Sequence, residues 1–398
     1  MGYHGDKTGE GTLGWLRDRN RQRVMRVLSE QGQATQAEIA RATGLSRTTV
    51  STLIAAMRHS GLVSDVAAES PASRGGRPGL QLALQNRAQS VVGIDFGHSH
   101  VQVAVADFAH NVLGERRCDL DVNHHAMEAL DASSRMVEEL LLEARVDRGS
   151  VVGAGIGIPG PVDGARGTAG SATILPDWVG LRIASEMQSR LAMPVQIEND
   201  ANLGALAEMT WGAGRDCSNF AYIKAATGVG AGIVIDGRLL RGASGTAGEI
   251  GHTTMDEAGA LCYCGNRGCL ETLASGPAIV RLVGPVGGEL LSLSRIVELA
   301  VDGDVRCRRA VADAGREIGV AVAGLCNLIN PKRVIVGGLL SKTGDVLIEP
   351  MRESIRRYAV QAAAACVEVR PAEFVERAEL LGSLALALQA SSARPIAV

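Results

Sequence analysis

The sequence predicts an α/β body carrying an N-terminal winged helix-turn-helix. Three observations lead there. From Ser90 onward, apolar strands alternate with helical stretches and glycines mark the strand ends, the pattern of an α/β architecture. Ahead of them, three short amphipathic patterns with a glycine turn occupy positions 15–60, as in a helix-turn-helix. The charge divides at the same place: residues 1–89 carry 12 Lys+Arg against 7 Asp+Glu, and the remainder 28 against 36. A basic head on an acidic body suits a head that meets a polyanion.

The first helical pattern, "WLRDRNRQRVMRVLSEQG", puts Leu16, Val24, Val27 and Leu28 on one stripe and stops at Gly32. The second, "TQAEIARATGL", opens with Thr35 and has Glu38 three residues on, a capping box, before Gly44 turns the chain. The third is capped by Ser46. It turns Val50, Leu53, Ile54 and Met57 inward and leaves Arg47, Thr48, Thr49, Ser51 and Thr52 on the other face. Such a helix enters the major groove, where short hydroxyl and arginine side chains reach base edges and phosphates. Candidate DNA contacts are therefore Ser46, Arg47, Thr48, Thr49 and Ser51. A strand, a Ser/Pro/Gly tip and a second strand follow as a wing, with Arg74 and Arg77 on the tip suited to a minor groove or to phosphates. The plainer reading of this head is a helical adaptor with a basic loop. The expected divisions are a flexible N-terminus at 1–14, the winged head at 15–85 and the body at 90–398.

At 398 residues with 46% hydrophobic content the chain can bury large cores, although only 3% of it is aromatic. It has no apolar run of membrane-spanning length and no signal-peptide stretch at its start, so a cytoplasmic protein without membrane contact is expected. Eight cysteines, three of them within eight residues, suggest reduced thiols and a metal in place of a disulfide scaffold. His252, Cys262, Cys264 and Cys269 have the types and number of a tetrahedral Cys₃His zinc site. The alternative is a group of buried free thiols.

The body's sequence resembles the ROK family (repressors, open reading frames and kinases), and the head resembles the DNA-binding domain of that family's repressors. The resemblance is carried, in order, by "GIDFG", "GIPGPVD", "ENDANLGALAE", "ATGVGAGIVIDGRLLRG", "AGEIGH", "CYCGNRGCLE" and "NPKRVIVGG". It implies a two-lobed actin-like fold, with a first lobe of about 90–200, a second of about 201–375 and a C-terminal helix at 376–392 returning to the first. It also implies that the zinc is structural and braces a sugar-binding loop. Family sugar contacts fall on Asn199, Asp200, Glu249, His252 and Glu271, with His252 giving one ring nitrogen to zinc and the other to a sugar hydroxyl. Glu249 and Glu271 could otherwise be surface charges.

Family kinases use a carboxylate to take the hydroxyl proton, and Asp200 matches it. They also use glycine-rich turns to approach ATP phosphates. Those turns are altered here. The kinase pattern Asp-x-Gly-Gly-Thr-Lys becomes "DFGHSH", keeping Asp95 and Gly97 but placing His98 at the second glycine, Ser99 at the threonine and His100 at the lysine. Gly-Thr-Gly becomes Ala226, Thr227 and Gly228, while Gly337 and Gly338 match a third turn. Ile174 stands where kinases often place a sugar-contacting asparagine. The resemblance thus implies a regulator with a degenerate nucleotide site, most often a repressor. Its expected partners are operator DNA, a sugar or sugar-phosphate effector and a second copy, as homodimer or homotetramer. No catalytic residue is expected; the alternative is a sugar kinase, or a dual-function protein, using Asp200.

Overall fold

The computed structural model describes residues 20–393 apart from 22, 26, 29–30, 60–61, 67–79, 85–88, 109, 164–166, 170–173 and 286–287. The N-terminal segment 1–14, Leu16 and the wing tip with Arg74 and Arg77 lie outside the described residues.

In the head, a helical stretch within 20–31 buries Val24, Val27 and Leu28. It runs through β1 (Gln33–Ala34) to α1 (Gln36–Thr43). Thr35 caps α1 through a complete capping box: the Glu38 N–H donates to its hydroxyl, and the Glu38 carboxylate accepts from the Thr35 N–H at 2.7 Å. Gly44 ends the helix at φ +67°, a left-handed backbone that glycine adopts without strain. The Ser46 hydroxyl accepts from the Thr49 N–H at 3.1 Å and starts α2 (Arg47–His59). Val50, Leu53, Ile54 and Met57 are buried, whereas Arg47, Thr48, Ser51 and Thr52 are exposed. β2 (Val63–Val66) and β3 (Gln81–Leu84) pair antiparallel, and β3 also takes β1.

The body repeats one plan twice. β4 (Ser90–Phe96), β5 (His100–Asp107) and β6 (Val112–Asp119) form an antiparallel meander. α3 (Ala126–Glu143) crosses to β7 (Val151–Ile158), parallel to β4. After the small ladder of β8 (Val162–Asp163) and β9 (Thr168–Ala169), α4 (Ile183–Leu191) leads to β10 (Val195–Asn199), parallel to β7. The sheet order is β10-β7-β4-β5-β6.

α5 (Asp200–Thr210) passes into the second lobe, where β11 (Phe220–Ala225), β12 (Val229–Ile235) and β13 (Arg238–Leu239) make the second meander. Helices α6 (Leu270–Ala274), α7 (Gly276–Val283), α8 (Leu293–Val301) and α9 (Val305–Ile329) precede β14 (Arg333–Gly337), parallel to β11. α10 (Asp345–Tyr358) and α11 (Gln361–Cys366) lead to β15 (Glu368–Pro371), giving the order β13-β12-β11-β14-β15.

The last helix, α12 (Ala378–Ala393), starts two residues later than the sequence suggests and packs on β4 and β7 of the first lobe. Glycine makes that contact close: a Cβ at Gly155 would lie 2.0 Å from the Ser383 carbonyl oxygen. Leu380, Leu384 and Leu388 of α12 join one apolar cluster with Val91 and Phe108 of the first lobe and with Ile39, Ile54 and Leu82 of the head. Among the described residues no helix is long and apolar enough to cross a membrane.

Candidate functional site

The ends of β4, β7, β10, β11 and β14 carry the candidate residues, which is where open α/β sheets bind ligands. Asn199 ends β10 and caps α5, accepting from the Ala201 N–H at 2.8 Å, while its amide donates to the Gly160 carbonyl at 2.8 Å. Asp200 opens α5. One of its oxygens accepts from the Ala201 N–H, and the other faces the Lys224 ammonium at 2.8 Å.

Glu249 and Glu271 are not surface charges; both are partly buried near Asp200. Burial pushes the Glu271 carboxyl up to about 7; the Val229 N–H, donating at 2.8 Å, opposes this, and the charges of Asp200 and Glu249 add to it. Burial first, then Asp200, also raises Glu249. Asp200, Glu249 and Glu271 thus form a cluster of three interacting carboxylates, a group type that accepts hydrogen bonds from hydroxyls when ionised.

The cysteine cluster forms the wall beside them. His252, Cys262, Cys264 and Cys269 bring their ligand atoms within 4.8 Å of one another. Nδ1 of His252 is 3.7 Å from the Cys262 sulfur, and the Cys264 and Cys269 sulfurs are 3.7 Å apart. That is too far for a disulfide. Donors about 2.3 Å from a common zinc lie about 3.8 Å apart at tetrahedral corners, so the set fits the metal. Zinc there would pin the loop from His252 to Cys269 and fix the imidazole tautomer. The other ring nitrogen, Nε2, faces the Tyr263 hydroxyl at 3.3 Å and Glu249 at 3.9 Å. Tyr263 thus touches the ring nitrogen expected to meet a sugar hydroxyl, and its ring stands edge-on to the imidazole.

The turns that correspond to the family's phosphate turns carry contacts of their own. Asp95 is buried at the end of β4, facing His100. Nδ1 of His98 is 2.9 Å from the Asn123 amide oxygen. In the second turn the Ala226 N–H donates to Gly228, and the Ala226 carbonyl accepts from Gly276 at the start of α7. Close packing by itself explains Gly337 and Gly338, since added Cβ atoms would meet the Tyr222 hydroxyl at 2.2 Å and the Ala225 carbonyl at 2.5 Å. Ile174 packs against the first-lobe core.

Sequence reasoning missed Lys224, Glu379, Tyr263 and the pair Arg241–Glu198, which joins second lobe to first at 2.6 Å. Lys224 had a legible signal: a single charge inside the apolar strand "FAYIKA". Glu379 had none, because its partner is 155 residues away.

Fold and cleft define a two-lobed, actin-like sugar-kinase-type body with a DNA-binding head. The chain belongs to the ROK family, whose model matches residues 91–390, and a winged helix-turn-helix DNA-binding model matches residues 17–64. It is 30% identical to a xylose repressor of Caldicellulosiruptor bescii over 94% of this chain and 96% of that one. A glucokinase of Thermotoga maritima is 31% identical over 74% of this chain and 96% of its own. Among solved structures, a ROK family transcriptional regulator described as a homologue of the Escherichia coli Mlc protein matches with a TM-score of 0.77 at 27% identity, over 95% of this chain and 97% of that one. A Streptomyces griseus ROK glucokinase in complex with glucose and AMPPNP matches with a TM-score of 0.66 at 30% identity, over 75% and 99%.

Proposed function

We propose that the protein is a sugar-responsive transcriptional repressor working in the cytoplasm as a homodimer or homotetramer. The head binds operator DNA through Ser46, Arg47, Thr48, Thr49 and Ser51, with Arg74 and Arg77 on the wing. The cleft binds a sugar or sugar phosphate through Asn199, Asp200, Glu249, His252 and Glu271, and a structural zinc on His252 and the three cysteines holds its wall. Ligand shifts the balance between lobe arrangements by its differential affinity for them, and so alters the spacing of paired heads.

The observation that supports this reading is the joining of a capped helix-turn-helix to a sugar-kinase-type body in which His98 contacts Asn123 and His100 contacts Asp95 at the turn that corresponds to the kinase phosphate turn. The repressors among the relatives, which match along nearly the whole chain, support it. Asp200 keeps the kinase reading in play, since a carboxylate is what phosphoryl transfer to a hydroxyl uses.

The test is a thermal-shift screen of pentoses, hexoses and their phosphates, with D-xylose first, followed by operator binding with and without each hit. A hit that raises the melting temperature and changes operator affinity supports the reading. A ligand-independent DNA affinity for every sugar that binds would remove it.

A further inference from the structure

We propose that Lys224 is a positioning residue of the sugar cleft and links it, through Glu379, to the helix that shares an apolar core with the DNA-binding head. The inference rests on the reading of the cleft as an effector site.

The Lys224 ammonium lies 2.8 Å from an Asp200 oxygen and 2.6 Å from a Glu379 oxygen. The three side chains are 19%, 18% and 12% exposed, so solvent screens the triad little. They come from three different elements. Asp200 opens α5, Lys224 sits in β11 of the second lobe, and Glu379 is in the first turn of α12, which packs on the first lobe.

The placement follows from strand alternation. Ala221, Ile223 and Ala225 of β11 enter the second-lobe core, so Phe220, Tyr222 and Lys224 face the other way, towards α5 and α12. Both cross-strand neighbours of Lys224 are glycines, Gly230 and Gly337, which leave its long side chain room. Burial alone would favour a neutral amine, but the attraction of Asp200 and Glu379 outweighs it and holds the lysine charged.

Two consequences follow. With one oxygen on the Ala201 N–H and the other on Lys224, the Asp200 carboxylate is held in one orientation with acceptor capacity left for a ligand hydroxyl. Lys224 also sets a positive charge between the carboxylates of Asp200 and Glu379. A hydroxyl that engages Asp200, or a closure that moves β11, then changes the Lys224–Glu379 contact. Glu379 is followed directly by Leu380 and Leu381, which lie in the cluster that includes Ile39, Ile54 and Leu82 of the head.

The experiment uses the full zinc-loaded chain, titrated with D-xylose and D-glucose by calorimetry. Binding to a duplex selected from a random-sequence library is measured with and without each sugar. Lys224→Met weakens sugar binding at least about tenfold while leaving ligand-free DNA affinity unchanged. Glu379→Gln keeps sugar affinity within about threefold, yet its sugar-induced change in DNA affinity falls about tenfold. A purely structural triad would not separate binding from response in this way. Because Lys224→Met leaves two carboxylates facing each other, Lys224→Met/Glu379→Gln replaces it if it fails to fold, with the same tenfold loss expected. Wild-type sugar binding in Lys224→Met and its double variant, or a wild-type response in Glu379→Gln, overturns the proposal.

If neither sugar binds the wild-type protein, the effector reading loses its support from these two sugars. The link is then decided by hydrogen exchange without ligand. Lys224→Met, or the double variant, must raise exchange in residues 200–206 and 379–385 together, and no change in either segment overturns the link.

Discussion

The His100 imidazole Nε2 lies 3.2 Å from a carboxylate oxygen of buried Asp95, folded back over the turn between β4 and β5. A Cβ on Gly97 would meet that ring at 2.2 Å, and the Gly97 N–H already donates to the His100 carbonyl. A phosphate brought to Gly97 would therefore meet the His100 ring and an N–H already engaged. Catalysis of phosphoryl transfer is mostly positioning and charge stabilisation, so loss of this turn should abolish it even with Asp200 in place. Purified protein given Mg-ATP and glucose, xylose or N-acetylated amino sugars should turn over far below the roughly 1–100 s⁻¹ of ordinary kinases. A rate inside that range would establish the dual-function alternative.

The second expectation concerns the metal. Metal analysis of protein purified without chelators should find about one zinc per chain, as a Cys₃His set with its ligand atoms within 4.8 Å of one another implies. Cys264→Ser should lower that content sharply and weaken sugar binding, because the loop carrying His252 and leading to Glu271 loses its brace. DNA binding by the head should be affected less, since the cluster lies in the other part of the chain. Zinc-free protein with full sugar affinity would remove the structural role.

In the head, stability and recognition separate by residue. Thr35→Ala removes the hydroxyl side of the capping box and should cost about 1 kcal/mol, read as a lower melting temperature. Arg47→Ala removes an exposed side chain from the start of α2 and should leave the fold intact. If Arg47 contacts a base, the variant loses roughly 1–3 kcal/mol for the preferred site and discriminates less at one position. If it contacts only phosphate, affinity falls evenly across sequences and the salt dependence becomes shallower. Anisotropy titrations at several salt concentrations distinguish the two, and unchanged binding would take Arg47 out of the interface.

The features legible in the sequence were the local ones. Thr35, Glu38 and Gly44 announce a helix and its ends because caps act over three or four residues. The cysteine cluster was legible because its ligands are close in sequence. The glycine-turned strands revealed an α/β body, and the ordered motifs pointed to its family. Contacts between distant segments left no periodic trace. Nothing around Glu379 points to Lys224, and nothing around His100 says that its ring returns to Asp95. Tyr263 reads as an ordinary residue between two ligands until its hydroxyl is found beside His252. The exchange of the kinase glycine for His98 was visible, but its partner Asn123 was not.

Glu208 provides the last expectation. It lies fully buried near the end of α5, and its carboxylate accepts from the N–H groups of Ala213 at 2.7 Å, Glu373 at 2.9 Å and Phe374 at 3.0 Å. The helix that begins with Asp200 is thereby fastened to the segment just before α12. Burial raises the carboxyl's pKa, and the three amide donors work against that rise. Glu208→Ala would leave all three donors without their acceptor and a fully buried side-chain site empty. An unsatisfied buried group costs about 1–3 kcal/mol, and three donors lose their acceptor together, so this variant should lose at least about 3 kcal/mol and unfold at markedly lower denaturant. Glu208→Gln keeps one carbonyl acceptor but sets its amide against a backbone N–H, for an intermediate loss of about 1–3 kcal/mol. Denaturation followed by fluorescence of buried Trp178 and half-buried Trp211 measures both. A Glu208→Ala protein within about 0.5 kcal/mol of wild type, the range of an ordinary surface change, would show that the fastening contributes nothing.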